Sequence, residues 1–150
     1  MSDWDIGISK EAMQCVDMVE IMEYDLFDDY GDHSSFDCAQ KGIEKFINAG
    51  FDSKVLDLGI PFYGRPADKG EYWYNYGDYA KILGKYSNKA EIDGKQAYFN
   101  SYGLVYDKTS LAIDYELGGV MVFRYGSDDL NHKDMSLFTA INQSINDRKN

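Results

Sequence analysis

The chain has 150 residues, of which 44% are hydrophobic and 15% aromatic, so it can build a hydrophobic core and is unlike a disordered sequence. Its formal net charge of -11 repels phosphate backbones and, without a basic patch, argues against nucleic-acid binding. No apolar run approaches the roughly 18 residues of a membrane span, and the opening MSDWDIGISK lacks the basic and apolar regions of a secretory signal.

The sequence offers little for a metal site or a disulfide framework. Cys15 and Cys38 lie far apart and belong to no CxxC or zinc pattern. His33 and His132 have no companion ligands at metal spacing, which favours structural or surface roles for both. The sequence therefore predicts neither a metal nor a cofactor.

The first half of the chain reads as strand, helix, strand. The first predicted strand is Val16 to Met22, a short β-branched and apolar run that ends in a polar loop, as in a parallel sheet. A helix is predicted over about Ser35 to Asn48, with a serine cap before it and a glycine stop after it. The second predicted strand is Lys54 to Ile60.

The segment that follows, from residue 62 to residue 108, is less regular. A short helix is predicted around Asp78 to Leu83. Two runs, Gln96 to Asn100 and Leu104 to Asp107, predict a small hairpin that turns at Ser101-Tyr102-Gly103. The first half of the segment is dense in aromatic residues, which are Tyr72, Trp73, Tyr74, Tyr76 and Tyr79.

The last part of the chain reads as helix, strand, helix. The predicted helix from Thr109 to about Leu117 stops at a glycine pair, Val120 to Tyr125 is the third strand, and a final helix covers about Lys133 to Asp147. Three strands that are each followed by a helix indicate parallel βα units. A closed (β/α)8 barrel needs at least about 200 residues. Spacing alone therefore leaves two alternatives, a part of such a barrel or a small open α/β domain.

Three segments carry a resemblance to a known family: MEYD at Met22 to Asp25, LGIPFYGRP at Leu58 to Pro66 and GGVMVFRYGSDD at Gly118 to Asp129. In order and spacing they resemble the sixth, seventh and eighth strands of the barrel of family 18 glycoside hydrolases of the bacterial chitinase type. MEYD alone is a weak signal, whereas the three segments in order are specific. The resemblance implies an α/β fold that is the C-terminal portion, about three βα units, of a TIM (β/α)8 barrel. Residues 1–150 would then be a partial catalytic domain with a small irregular insert at about 66–108.

The resemblance also implies a chemistry. Family 18 chitinases cleave β-1,4-linked N-acetylglucosamine polymers by a retaining, substrate-assisted reaction, in which the sugar's own N-acetyl oxygen attacks its anomeric carbon. The family's acid is a glutamate that ends a DxxDxDxE motif on the fourth strand, and this sequence contains no such motif. We therefore expect the isolated chain to be inactive, and whether it serves an enzyme stays open. The alternative is a non-catalytic, lectin-like binder of chitin or its oligosaccharides, a type that the family includes.

The resemblance assigns catalytic roles to Tyr24 and Asp25, which match the pair that holds the N-acetyl group. A hydroxyl and a carboxylate at these positions would orient the acetamide and stabilise the charge that develops on it. Strand alternation predicts Met22 and Tyr24 on the face of the barrel interior, with Asp25 at the C-terminal mouth. Met22 resembles a residue of the site floor, with ordinary core as the equal alternative. Glu23 is expected to face outward and receives no role.

Substrate-binding roles come from the two later segments. Tyr63 and Arg65 match residues that line the cleft, with a structural ion pair as the alternative for Arg65. Gly59 and Gly64 are expected to permit close backbone approach. Phe123 falls where the family usually has a tryptophan under the reacting sugar, and its smaller ring predicts weaker sugar binding. The aromatic residues of the insert form either an outer sugar subsite or a cluster that packs the insert onto the barrel.

The expected partner is chitin or an N-acetylglucosamine oligosaccharide, with no nucleic acid and no membrane. The unpaired edges of a partial barrel predict self-association, because free strand edges are templates for pairing with another chain. Family members that degrade chitin are mostly secreted, which predicts a secreted parent protein, although this chain shows no signal peptide.

Overall fold

A computed structural model describes Met1, residues 6–70 and residues 72–149 of the chain. None of the helices in these ranges is long and apolar enough to cross a membrane. The helices are α1 (Lys10–Met13), α2 (Phe36–Asn48), α3 (Tyr76–Leu83), α4 (Tyr102–Asp114) and α5 (Leu137–Arg148). The strands are β1 (Val19–Ile21), β2 (Leu56–Pro61), β3 (Tyr63–Pro66), β4 (Tyr74–Asn75), β5 (Lys89–Ile92), β6 (Lys95–Tyr98) and β7 (Gly119–Phe123).

Three strands form a parallel sheet in the order β1-β2-β7. Leu58 of the central strand lies opposite Ile21 on one side and Val120 on the other. Helix α2 connects β1 to β2, and α4 precedes β7, because a chain that pairs in parallel must cross back over the sheet. The predicted parallel βα units are therefore confirmed, and the fold class is α/β.

The main core lies between this sheet and its helices. Helix α2 buries Ala39, Ile43 and Phe46, which fall on one face at helical spacing. Its predicted ends are confirmed, since the Ser35 side chain accepts a hydrogen bond from Cys38 N and the helix ends at Asn48. Helix α4 packs against β2, β7 and α2, and α5 packs on α4. The opposite face of the sheet is more open.

A second sheet, antiparallel and of four strands in the order β4-β3-β6-β5, is inserted between β2 and α4. Phe62 joins the two sheets, because its N–H donates to the carbonyl of Phe123 at 2.7 Å and its carbonyl accepts from Tyr76 N at 3.2 Å. Strands β5 and β6 form a hairpin that turns at Asp93 and Gly94, both with positive φ. An Asp-Gly pair is a strong hairpin signal because this turn needs positive φ at both positions.

The hairpin predicted around Ser101 is wrong. Ser101 is the N-cap of α4, and its hydroxyl accepts a hydrogen bond from Leu104 N at 3.3 Å. Gln96 belongs to β6, whereas Leu104 and Asp107 lie inside α4. The helix begins well before the predicted start at Thr109, because the serine before residue 102 offers a hydroxyl cap of the kind that helices favour.

Candidate active site

The candidate site residues lie at one edge of the parallel sheet, where the C-terminal ends of β1, β2 and β7 meet. Tyr24 and Asp25 follow β1, Tyr63 and Arg65 follow β2 within β3, and Phe123 is the last residue of β7. Parallel strands end on the same side of a sheet, and in (β/α)8 barrels this is the side that carries active sites. The fold therefore brings together residues that are up to 99 positions apart in the chain.

The burial of β1 and the residues after it alternates as the sequence predicts. Ile21 is fully buried on the helix side, whereas Met22 is 40% exposed on the opposite, open face. Met22 thus lies on the face that the sequence predicts for the barrel interior. Glu23 points away from Met22, as expected, but it is buried, because its side chain packs against α2 so closely that a Cβ on Gly42 would lie 2.2 Å from the carboxyl carbon.

Asp25 and Arg65 form an ion pair across the site. The Nη1 group of Arg65 donates to Oδ1 of Asp25, and Nη2 donates to the carbonyl of Gly70 at 2.9 Å. The Arg65 side chain is 11% exposed, whereas the carboxylate is 40% exposed and accessible to a ligand. The ion pair that was the alternative for Arg65 is therefore present, and its partner is itself a candidate site residue.

Two glycines allow the strands to approach closely enough for this arrangement. A Cβ on Gly59 would lie 2.4 Å from the carbonyl oxygen of Ile21 and 3.1 Å from the ring of Tyr24. A Cβ on Gly64 would lie 2.5 Å from the ring of Phe99. The expectation of close approach at Gly59 and Gly64 is therefore confirmed.

The two tyrosine hydroxyls of the site stay protonated at neutral pH. Burial, followed by the charge of Asp25, raises the pKa of Tyr63, whose side chain is almost entirely covered. Burial also raises the pKa of Tyr24, with smaller contributions from the negative charges of Glu20 and Asp25. A protonated phenol can donate a hydrogen bond to a carbonyl oxygen, which is what an acetamide offers.

Beneath Asp25 lies a buried cluster of polar residues, which we call the polar floor: His33, Ser34, Asn100 and Lys108. Nε2 of His33 accepts a hydrogen bond from the backbone N–H of Asp25 at 3.0 Å. Asn100 Nδ2 donates to the carbonyl of Ser34 at 3.1 Å. The Lys108 ammonium donates to the Ser34 carbonyl at 2.6 Å, to the Ser34 hydroxyl at 3.0 Å and to Asn100 Oδ1 at 2.6 Å. The loop that begins at Asp25 is thereby tied to helix α4.

The electrostatics of the polar floor follow from its burial. Burial lowers the pKa of Lys108 to about 7, against a raising effect of the charge of Glu23. Burial lowers the pKa of His33 to about 3, assisted by the positive charges of Lys108 and Arg65. His33 is therefore neutral at pH 7, and because Nε2 accepts a hydrogen bond, its proton is on Nδ1.

Above Asp25 lies a group of rings that we call the aromatic corner: Tyr24, Tyr63, Trp73 and Phe123. Phe123 stacks with Tyr24 at a centroid distance of 5.8 Å and an interplanar angle of 23°. Trp73 stacks with Tyr63 at 4.8 Å and 24°. The two pairs stand at right angles, because Trp73 meets Phe123 at 90° and 5.7 Å. The corner thus presents two aromatic planes beside an accessible carboxylate.

No protein-family model matches this chain, and the search of curated proteins finds no match either. Solved structures do match it. A family 18 chitinase from the chitin utilization locus of Flavobacterium johnsoniae is 26% identical with a TM-score of 0.77, over 95% of this chain and 46% of that one. This chain has the fold of the C-terminal part of a family 18 chitinase barrel.

Two further solved structures share this fold at lower sequence identity. A plant class V chitinase mutant from Cycas revoluta, solved in complex with (GlcNAc)3, is 20% identical with a TM-score of 0.73, over 89% of this chain and 48% of that one. A chitinase-like agglutinin from Robinia pseudoacacia is 20% identical with a TM-score of 0.67, over 85% of this chain and 47% of that one. The chain spans about half the length of the solved structures it matches.

The aromatic residues of the insert fall into two groups. Tyr74 and Tyr79 pack around Phe99, with ring centroids 5.7–6.3 Å apart, and the buried Tyr76 donates its hydroxyl hydrogen to Met135 O at 2.8 Å. These residues form the packing cluster that was one of the two alternatives. Trp73 instead faces the candidate site.

The sequence interpretation missed the polar floor entirely, apart from assigning His33 a structural or surface role. Nowhere in the described part of the chain do three or more His, Cys, Asp or Glu side chains group as metal ligands would.

Proposed function

We propose that this chain forms the N-acetyl-binding side of the sugar cleft of a chitinase-like glycoside hydrolase that cleaves β-1,4-linked N-acetylglucosamine polymers. The observation that carries the proposal is the meeting of Tyr24, the Asp25–Arg65 ion pair and Phe123 at the ends of three neighbouring strands. The likeness to the Flavobacterium johnsoniae chitinase supports it. An accessible carboxylate, a protonated phenol and aromatic faces are the groups that an N-acetylated sugar requires.

In the proposed reaction, the acetamide of the bound sugar lies between Tyr24 and Asp25. The phenol donates to the carbonyl oxygen and the carboxylate accepts from the amide N–H, so the oxygen is aimed at the anomeric carbon. As that oxygen bonds to the anomeric carbon, the glycosidic bond breaks and positive charge develops on the acetamide. The Asp25 carboxylate stabilises this charge because it is already in place and requires no reorganisation. Water then opens the cyclic intermediate with overall retention.

Other residues of the chain hold this arrangement. Arg65 fixes Oδ1 of Asp25, and His33 fixes its backbone N–H. The leaving oxygen must still receive a proton from an acid, and this sequence contains no DxxDxDxE motif to supply it. General acid catalysis contributes about 10²–10⁴-fold. We therefore propose that the isolated chain binds sugar without hydrolysing it.

A second candidate function is non-catalytic, lectin-like binding of chitin oligosaccharides. The likeness to the Robinia pseudoacacia agglutinin favours it, at a TM-score of 0.67. Such a binder would use the same acetamide-holding residues and lack the acid altogether. The coding sequence adjacent to this chain distinguishes the two. A DxxDxDxE motif there with its glutamate intact favours the hydrolase, and a replaced glutamate favours the binder.

Two further expectations remain proposals. Within the described residues, β1 and β7 each pair with β2 alone, which supports self-association of the isolated chain through these edges. A size-exclusion measurement over a range of concentrations tests it, and a concentration-independent monomer would contradict it. The resemblance to chitin-degrading relatives likewise supports a secreted parent protein.

The proposed function is tested by titrating the chain with the β-1,4-linked trisaccharide of N-acetylglucosamine in a calorimeter. We expect saturable binding that falls at least tenfold in Asp25→Ala, because that variant removes the group that holds the acetamide. Asp68→Ala is the matched control, since Asp68 is an exposed carboxylate that pairs with Lys95 in the insert. No binding by the unmodified chain, or equal binding by both variants, would refute the proposal.

A further inference from the structure

Trp73 belongs to the insert, but its ring lies at the candidate site. Strand β4 pairs with β3 in a register that places Gly64 opposite Tyr74 and Tyr63 opposite Asn75. Continued by one residue, this antiparallel register brings Trp73 beside Arg65, and its ring reaches diagonally to stack with Tyr63 at 4.8 Å. The indole therefore lies at the candidate site because the backbone hydrogen bonds of the insert put it there.

One face of this indole remains available. Stacking with Tyr63 covers one face, yet the residue is 47% exposed. Its plane is perpendicular to that of Phe123, which is 36% exposed. Two partly exposed rings therefore meet at a right angle at the corner. Ligand pockets combine such aromatic walls with a few placed polar groups, and here the polar group is the Asp25 carboxylate.

The adjacent residue Tyr72 is about as exposed as Trp73 but has different partners. Tyr72 is 44% exposed, but its hydroxyl accepts a hydrogen bond from Lys95 Nζ at 3.2 Å, and the same ammonium lies 5.7 Å from its ring. Its ring also meets Tyr74 edge to face at 5.5 Å. Tyr72 thus has partners within the insert, whereas the ring partners of Trp73 both belong to the aromatic corner.

We propose that Trp73 is a sugar-stacking residue of the cleft, whose free indole face binds the apolar face of an N-acetylglucosamine unit beside Phe123. This inference rests on the proposed function and adds to it a specificity-determining residue contributed by the insert. A pyranose ring has an apolar face and a rim of hydroxyls. Such a ring fits a corner in which one wall is an indole and the neighbouring groups are charged.

The composition of the chain supplies a direct probe, because it contains two tryptophans, Trp4 and Trp73. Trp4 lies outside the described residues. In the variant Trp4→Phe, Trp73 is the one remaining indole and reports on its own surroundings. Adding the N-acetylglucosamine trisaccharide should shift its emission to the blue, since stacking transfers a half-exposed indole from water to an apolar contact. In Trp73→Phe, where Trp4 remains, the emission should not shift.

Affinity gives the second measurement, by calorimetry with the same trisaccharide. Trp73→Ala should weaken binding about tenfold and Trp73→Phe about threefold, because the phenyl ring retains part of the stacking area. The matched control Tyr72→Ala removes an equally exposed ring from the adjacent position and should leave affinity unchanged. The fluorescence of Trp4→Phe keeps the test valid even if Trp73→Ala does not fold.

The possible outcomes distinguish a failure of the proposed role of Trp73 from a failure of the proposed function. A blue shift in Trp4→Phe together with weaker binding in the Trp73 variants supports it. If the chain binds the trisaccharide and Asp25→Ala abolishes binding, but Trp4→Phe shows no shift and Trp73→Phe binds normally, the role of Trp73 is refuted and the proposed function stands. If the unmodified chain binds no trisaccharide, both are refuted.

Discussion

The two sides of Asp25 differ in almost every physical respect. On one side the polar floor is buried, with Lys108 and Ser34 at 0% exposure, and its donors and acceptors bind one another. On the other side the aromatic corner is open, with Trp73 and Phe123 at 47% and 36% exposure. Apart from Nδ1 of His33, which has no hydrogen-bond partner among the described residues, the floor forms its hydrogen bonds within the protein, whereas the corner keeps apolar surface in contact with water.

This difference suggests that the floor stabilises the fold and the corner binds sugar, with Asp25 between them. A buried polar network rigidifies what it holds, and it is costly to leave partly satisfied. An exposed aromatic surface contributes little to folding and gains free energy only when something covers it. Changes in the floor should therefore appear as lost stability, and changes in the corner as altered sugar affinity. The following predictions test that separation.

The largest expected effect is that of Lys108→Met on stability. The substitution keeps a long apolar stem but leaves Asn100 Oδ1 buried without its donor, and the Ser34 carbonyl keeps only the donor from Asn100 Nδ2. A lost hydrogen bond from a charged donor costs about 1.5–3 kcal/mol. An unsatisfied buried acceptor costs about 1–3 kcal/mol. We expect the free energy of unfolding to fall by about 3–5 kcal/mol, measured by urea denaturation.

Lys81→Met is the matched control, because Lys81 lies on the exposed side of α3. Surface substitutions of this kind usually change stability by less than about 0.5 kcal/mol. Equal effects of the two substitutions would mean that the floor does not stabilise the fold, and the separation proposed above would fail.

The second prediction concerns acid. The pKa of His33 is about 3 in the folded chain, against 6.5 for an ordinary histidine, so below pH 6.5 the unfolded chain binds a proton that the fold excludes. The stability contributed by neutral His33 is therefore complete above pH 6.5 and is lost as the pH falls toward 3. Between pH 6.5 and 4 this loss should reach about 3 kcal/mol.

The measurement is the free energy of unfolding of the unmodified chain and of His33→Gln at several pH values. Glutamine offers an amide oxygen to the backbone N–H of Asp25 and does not titrate, so the difference between the two proteins should shrink as the pH falls. His132→Gln serves as the control, because His132 pairs with Asp129 near the surface. A pH dependence that is unchanged in His33→Gln would refute the prediction.

The sequence predicted the parallel strands from local apolar patterns, and the resemblance of three segments to a known family assigned the residues at their ends. Apolar runs specify β1 and β2, and Tyr24 and Asp25 must follow β1 wherever that strand lies. The wrong hairpin prediction around Ser101 also came from a local pattern. The Asp93-Gly94 pair carried the hairpin signal, and the serine at position 101 was interpreted as a turn residue when it is a helix cap.

The polar floor could not be predicted in the same way, because its members come from distant segments. Asn100 and Lys108 meet Ser34 across 66 and 74 positions of the chain, and no local pattern encodes such a meeting. One signal was available. Lys108 lies on the face of α4 that also buries Val105 and Ala112, and lysine is almost never fully buried unless it is paired. A lysine on an apolar helix face predicts a buried partner without identifying it.

A third, smaller effect on stability and affinity is expected at Arg65, which lies between the polar floor and the aromatic corner. Arg65→Gln removes the ion pair with a carboxylate that is 40% exposed, and such pairs contribute at most about 1 kcal/mol to stability. Trisaccharide affinity should fall about fivefold, because Asp25 loses the group that fixes its Oδ1. Arg148→Gln is the control, since Arg148 pairs with Asp114 far from the site. An affinity unchanged by Arg65→Gln would show that Arg65 is structural only.

The smallest expected effect is a gain of affinity in Phe123→Trp. Phe123 is partly exposed, so a larger ring adds stacking surface at the corner without filling a buried cavity, and stability should change by less than about 1 kcal/mol. Stacking contributes about 0.5–1.5 kcal/mol beyond area, which predicts trisaccharide binding about threefold tighter by calorimetry. If the affinity falls while stability is kept, the indole of Trp73, 5.7 Å away, already occupies the space that a second indole needs. That outcome would contradict the prediction that the corner has room for a larger ring.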